Sequence, residues 1–285
     1  MDWLQWSNPV ARWWVWLVSI SAVNLVAFVV VRRRAARRLR APSADELRRF
    51  HQVVALCGVY TVGCAFRSVL PRADVQRICL WDTWWSNVFV GRSVATVAEL
   101  SFVLEGALVL FFLATYLESS LGRAVARAIV PLIVIAECFS WYAVLTTHYL
   151  GNAVEESLWT LSYSLVGLAL LVMSRRASGA LRGLCIASGI GALLYVSFMV
   201  TTDVPMYVGR LMEDAQSGRV YLSVGEGVRD LLSRWVVTHD PADWQTEMPW
   251  MTLYFSVAVW LSIALCLAPL TRQHLAQWPV LPQRR

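Results

Sequence analysis

Seven apolar stretches, each about 20 residues long and nearly free of charge, constrain this chain more than any other feature. A run of that length matches the hydrocarbon thickness of a bilayer when wound as a helix. The stretches lie near residues 13–31, 52–70, 91–116, 128–147, 157–173, 183–202 and 250–270. With 58% hydrophobic and only 15% charged residues, the 285-residue chain has no stretch left over for a separate soluble domain. The expected fold is all-α: one polytopic bundle of seven transmembrane helices spanning 1–285, with residues 203–249 as a small helical cap on the outer face.

Charge placement orients the bundle. Arg32, Arg33, Arg34, Arg37, Arg38 and Arg40 follow span 1, Arg123 and Arg127 follow span 3, and Arg175, Arg176 and Arg182 follow span 5. Arg272, Arg284 and Arg285 follow span 7 on the same side, which the positive-inside rule assigns to the cytoplasm. The N-terminus is then outside and the C-terminus inside. Span 1 has no small-residue cleavage site and ends on a basic stop, so it reads as a retained anchor. Trp3, Trp6, Trp13, Trp14, Trp81, Trp84, Trp85, Trp235, Trp244 and Trp250 map to the outer side or its interface, and Trp278 to the inner side. The net charge of +6 is met by anionic headgroups, with no nucleic acid needed.

All 25 basic residues are arginine. That usage fits a GC-rich bacterial gene and a multi-pass position in the bacterial inner membrane. It also excludes a retinal Schiff base, which needs a lysine. His51, His148, His239 and His274 are too few for a di-iron desaturase, and neither Gly-x-Ser-Gly nor paired Gly-x-Gly-Asp protease strings occur. A zinc hydrolase needs three histidines on one leaflet, whereas only His148 and His239 could meet, with Asp240 or Glu156 as a third ligand. No metal set is assigned on that basis, and the cofactor stays open. Cys57, Cys64, Cys138, Cys185 and Cys266 fall within spans without a CxxC pair and read as small packing residues, while Cys79 falls in an outer loop.

Ionisable residues inside apolar helices mark functional sites by default, because they are costly there. Tyr60, Cys64 and Arg67 share one face of span 2, and Arg92, Thr96 and Glu99 share one face of span 3. Arg92 and Glu99 lie roughly 10 Å apart along the axis. Glu137, Trp141, Val144 and His148 are spaced along one face of span 4, and Glu155 and Glu156 open span 5. Glu105 lies on a different face of span 3. The loop from span 2 to span 3 adds Arg72, Asp74, Arg77, Asp82 and the run Trp81-Asp82-Thr83-Trp84-Trp85.

From this pattern Glu99 and Glu137 are the candidate acid–base residues, with pKa values raised by burial. Arg67, Arg72, Arg77, Arg92, Asp82, His148, Asp203 and His239 are the candidate substrate-binding residues, since arginine suits bidentate capture of phosphate or carboxylate. Several have a plainer structural reading: Arg67 as an arginine snorkelling to the interface, Arg92–Glu99 as a packing ion pair, and the tryptophan run as an aromatic belt.

Three functions compete. The first is an enzyme acting at the outer leaflet on an amphiphilic lipid or isoprenoid with an anionic group, so that membrane lipid is the natural partner. The second is a proton-coupled transporter or binder of a small anionic solute; the third is a structural or assembly subunit. No internal repeat and no matched pair of Gly/Pro-broken spans favours transport. Gly183, Gly189 and Gly191 make span 6 a close-packing helix under any of them.

Overall fold

The computed structural model describes residues 2–39 and 42–268; Arg40, Arg272, His274, Trp278, Arg284 and Arg285 lie outside the described residues. Among the described residues seven helical segments are long and apolar enough to cross a membrane. They are α1 (Pro9–Arg38), α2 (Ala44–Val69), α3 (Val88–Tyr116), α4 (Ser120–Thr146), α5 (Tyr149–Ser174), a sixth running Gly179–Ser217, and a seventh running Glu247–Leu265. The fold is therefore the all-α membrane bundle that the apolar pattern predicts.

Local chemistry sets the helix ends. Asn8 accepts from the Val10 amide just before Pro9, which occupies the first helical position where a missing N–H costs nothing. Ser43 and Glu46 form the capping box expected from their spacing, each side chain bonding the other's backbone amide. Ser223 and Glu226 form a second one, which starts α8 (Val224–Ser233).

The sixth and seventh segments are interrupted. The sixth comprises α6 (Gly179–Phe198), a π turn (Met199–Asp203) and α7 (Val204–Ser217). The helix thus continues well past residue 203, where a cap was expected to begin: Pro205 falls in the first turn of α7, where a missing N–H is tolerated, and the helix ends only at the left-handed Gly218. The seventh comprises α10 (Glu247–Leu253), a π turn (Tyr254–Ala258) and α11 (Val259–Leu265). Pro249 sits in the first turn of α10, where proline is tolerated. A π turn frees backbone carbonyls that cannot stay unpaired in hydrocarbon. Buried Asn24 meets this need by donating to the Phe255 carbonyl at 2.7 Å, and its own oxygen accepts from Trp260 Nε1 at 2.8 Å.

Consecutive helices α1 to α6 pack pairwise, and α11 returns to pack on α1, α2 and α3. Beside two small clusters at the upper end, two large apolar cores result. One joins α1, α2 and the last span around Leu17, Cys57, Tyr60, Phe255 and Val259; the other joins α3 to α6 around Ala114, Ile133, Ala169, Met173 and Leu181. Helix α3 serves both, with Phe102 in the first and Val103 in the second. Gly167 and Gly189 bring α5 and α6 together, since a Cβ on either would press on the other's carbonyl. Gly183 and Gly191 have open space instead and do not serve that contact.

At the end of the bundle that carries the start of α1, called the upper end, loops are knitted by three two-residue strands. The strands β1 (Arg72–Ala73) and β2 (Ile78–Cys79) are antiparallel, and β2 pairs in parallel with β3 (Val236–Val237). Asp240 caps the short α9 (Pro241–Trp244) as its Asp-Pro pair predicts, accepting from the Ala242 amide at 2.9 Å. Helix α8 rests on the end of α4 with Gly227 at the Leu145 carbonyl, where no side chain fits.

Candidate functional site

The upper halves of α3, α4 and α5 place four charged side chains together. Arg92 Nη2 donates to Glu99 Oε2 at 2.8 Å and to Glu137 Oε2 at 2.7 Å, and stands 3.9 Å from Glu155 Oε1. All four residues are buried. Thr96 Oγ1 donates to Glu137 at 2.6 Å and receives Trp141 Nε1 at 3.1 Å, so the face of α3 read from the sequence meets its counterpart on α4. Asn152 Nδ2 donates to Glu155 at 3.3 Å. Glu137, which had no partner in the sequence, thus has two.

Oxygen atoms of Glu99, Glu137 and Glu155 lie within 4.8 Å of one another, a separation that could hold a metal ion. Arg92 already supplies a cation to that space and is bonded to two of the three. The arrangement is a buried cluster of three carboxyls around one guanidinium, with more acid than base.

Beside this cluster runs a cavity of about 1730 Å³. Its upper end is lined by Arg67, Arg92, Glu99, Glu155, Glu156 and Arg210, and its apolar length continues between α6 and the last span past Leu184, Gly191, Tyr195, Val257 and Leu261. Trp250 closes the top of that gap: its ring packs edge-on against Phe198 and its Nε1 donates to Asp203 Oδ1 at 2.8 Å.

The sequence-chosen residues divide. Arg67, Arg72, Arg92 and Glu99 line the cavity, while Glu137 stands behind Arg92. Arg72 is committed: Nε donates to Asp74 at 2.6 Å, and Nη1 donates to the carbonyls of Ser86 and, closely, of Asn87. Gly91 makes room for it. Burial tends to raise the Asp74 carboxyl, but the guanidiniums of Arg72, Arg67 and Arg92 outweigh this and hold it below the usual carboxylate range.

Arg77 is equally committed, to Asp230 at 2.7 Å, the Asp74 carbonyl at 2.6 Å and the Val144 carbonyl at 2.8 Å. Asp82 accepts from Trp235 Nε1 at 3.0 Å on the surface. His148 does not continue the α4 face, because α4 ends at the left-handed Thr147; it caps α5 and stacks on Tyr221. Burial holds its ring below the ordinary imidazole value against the pull of Asp214. His239 stacks on Trp3 with Nε2 at 2.9 Å from the Leu80 carbonyl. Among the described residues no metal-competent group contains a histidine. Asp203 lies in the π turn, bonded to Trp250.

Arg210 is the residue that sequence reasoning missed. It projects from α7 over the rings of Tyr149 and Tyr207, and neither it nor Arg67 has an ion pair among the described residues. Arg67 lies over the Phe255 ring, and its Nε is buried without a hydrogen-bond partner. The available signal was the continued helical pattern beyond Asp203, which carries Tyr207 and Arg210 on one face.

Buried ionisable groups are not confined to the upper half of the bundle. Glu105 is fully buried lower on α3, beside Cys57 and Cys266. Cys79 is buried rather than presented by its loop, and Cys138 is exposed on α4. The chain is an integral membrane protein with a buried arginine–glutamate network, and it matches no protein-family model, no curated protein and no solved structure.

Proposed function

We propose that this membrane protein is an enzyme acting on an amphiphilic lipid or isoprenoid that carries an anionic group. The observation that carries the reading is the union, in one cavity of about 1730 Å³, of a long apolar lining and a polar head end. Ordinary ligand pockets hold about 300–1,000 Å³, so this one has room for long chains. The tail would lie between α6 and the last span. The anionic group would meet Arg67 and Arg210, the arginines at the polar end of the cavity that have no ion pair within 4 Å among the described residues. Glu99, which faces the cavity, would exchange a proton with the substrate, and Glu137 would hold Arg92 and set that exchange from behind. The segment 218–246 would cap this end on the outer side.

Native mass spectrometry of the gently purified full chain, with lipid extraction, tests this. An anionic amphiphile should co-purify with the wild type and with Glu99→Gln, and be lost from the Arg67→Ala/Arg210→Ala double variant. Glu99→Gln should retain the amphiphile but abolish its conversion. A wild type that carries no amphiphile, or a double variant that carries it equally, would overturn the reading.

One observation favours transport as a second reading: the cavity lining reaches from Arg37 and Leu39 at the lower end to Asp74 at the upper. Movement of an unmodified amphiphile between leaflets of proteoliposomes would select it over catalysis.

A further inference from the structure

We propose that Cys57, Glu105 and Cys266 form a metal site in the middle to lower part of the bundle, separate from the arginine–glutamate cluster, and that it takes a borderline-soft divalent ion, zinc foremost. The two sulfur atoms and a carboxylate oxygen lie within 4.8 Å of one another. They come from α2, α3 and the end of the last span, so no sequence spacing could have revealed them.

All three side chains are buried, and Glu105 and Cys57 are 0% exposed. One Glu105 oxygen closely accepts from Ser262 Oγ; the other has no hydrogen-bond partner. A fully buried carboxylate with an orphaned oxygen is costly in hydrocarbon unless a cation or donor meets it. In the upper cluster Arg92 does this. Among the described residues Glu105 has no ion pair with any arginine, and its neighbours are two thiols.

Two sulfurs with one carboxylate is a zinc-type donor set, and hard ions such as Mg²⁺ would not choose it. Ser262 supplies the outer-shell hydrogen bond that orients a ligating carboxylate, and Thr61 Oγ1 stands 3.9 Å from the Cys57 sulfur. Cys266 also lines the large cavity, which gives an ion a path inward. Binding expels the thiol protons of Cys57 and Cys266, so the bound ion faces two thiolates and one carboxylate.

The test uses the purified full chain in detergent, stripped with a chelator and titrated with Co²⁺ and then Zn²⁺. One cobalt per chain should bind with near-ultraviolet thiolate-to-cobalt absorption, and Zn²⁺ should displace it. The absorption should vanish in Cys57→Ser and Cys266→Ser and persist in Cys64→Ser and Cys138→Ser. Ser262→Ala, which removes only the orienting hydroxyl, should weaken binding about 10–100-fold. Monodisperse elution of each variant checks folding, and the wild-type titration stands without them. No charge-transfer absorption in the wild type, its survival in the Cys57→Ser/Cys266→Ser double variant, or a Cys57–Cys266 disulfide in freshly isolated protein would overturn the site.

Discussion

Helix α3 carries two buried acidic centres that handle charge in opposite ways. At Glu99 the cation is built in: Arg92 sits two helical turns away on the same face and gathers carboxylates from α4 and α5. At Glu105 only a hydroxyl and two thiols answer the carboxylate. The first centre is complete with the chain's own residues, whereas the second is completed by something the solvent must supply. Their difference teaches that burial alone does not describe an acid in a membrane; what matters is whether its cation is covalently part of the chain.

Substitutions should separate the two centres by sign as well as size. The largest effect is expected at Arg92. Arg92→Ala leaves three carboxylates buried without their cation and should cost about 3–5 kcal/mol, read as a fall in thermal stability of the detergent-solubilised protein. Adding Glu137→Gln to that variant should recover part of the loss, and no recovery would show that the cluster does not act as a unit. Next comes Glu99→Gln, which turns a charge-assisted bond into a neutral one and should cost about 1.5–3 kcal/mol. Glu105→Gln should behave differently. In chelator-treated protein it should be neutral or stabilising, because it removes an uncompensated buried acid. A destabilisation as large as that of Arg92→Ala would mean that Glu105 has a protein cation after all.

The smallest effect is expected at the Arg72–Asp74 pair, at the upper end of the cavity. Asp74 is held below its unfolded value, so its contribution to stability is fully present above the unfolded carboxylate range and is lost as pH falls through the lower folded value. Between neutral pH and about pH 4 the wild type and Asp74→Asn should therefore differ by a constant amount, and below that the gap should close. Thermal melts across pH 2–7 of both proteins read this directly. A gap that widens as the solution is acidified would contradict the pairing.

The amino-acid sequence made the spans, their number and the face pairing of α3 legible, because hydrophobic period and bilayer length are local properties. It also picked out Arg92, Glu99 and Glu137, since charges in apolar helices stand out in one dimension. It could not tell which arginines were free. Arg72 and Arg77 looked like anion binders until backbone carbonyls just before α3 and within α4 took their donors. Arg210 stood in what reads as a loop until the π turn carried the helix through Asp203. The cysteine–glutamate group was invisible for a simpler reason: Cys57 and Cys266 meet only because the last span returns to α2.

The apolar length of the cavity runs between α6 and the last span, two segments long and apolar enough to cross a membrane, so a guest lying there would sit at the depth of the bilayer's hydrocarbon. An amphiphile drawn from the surrounding bilayer has its supply set by mole fraction among neighbouring lipids and by lateral diffusion. Aqueous concentration then stops being the relevant variable. For such a protein, saturation would be reached or missed by changing the composition of the sheet around it.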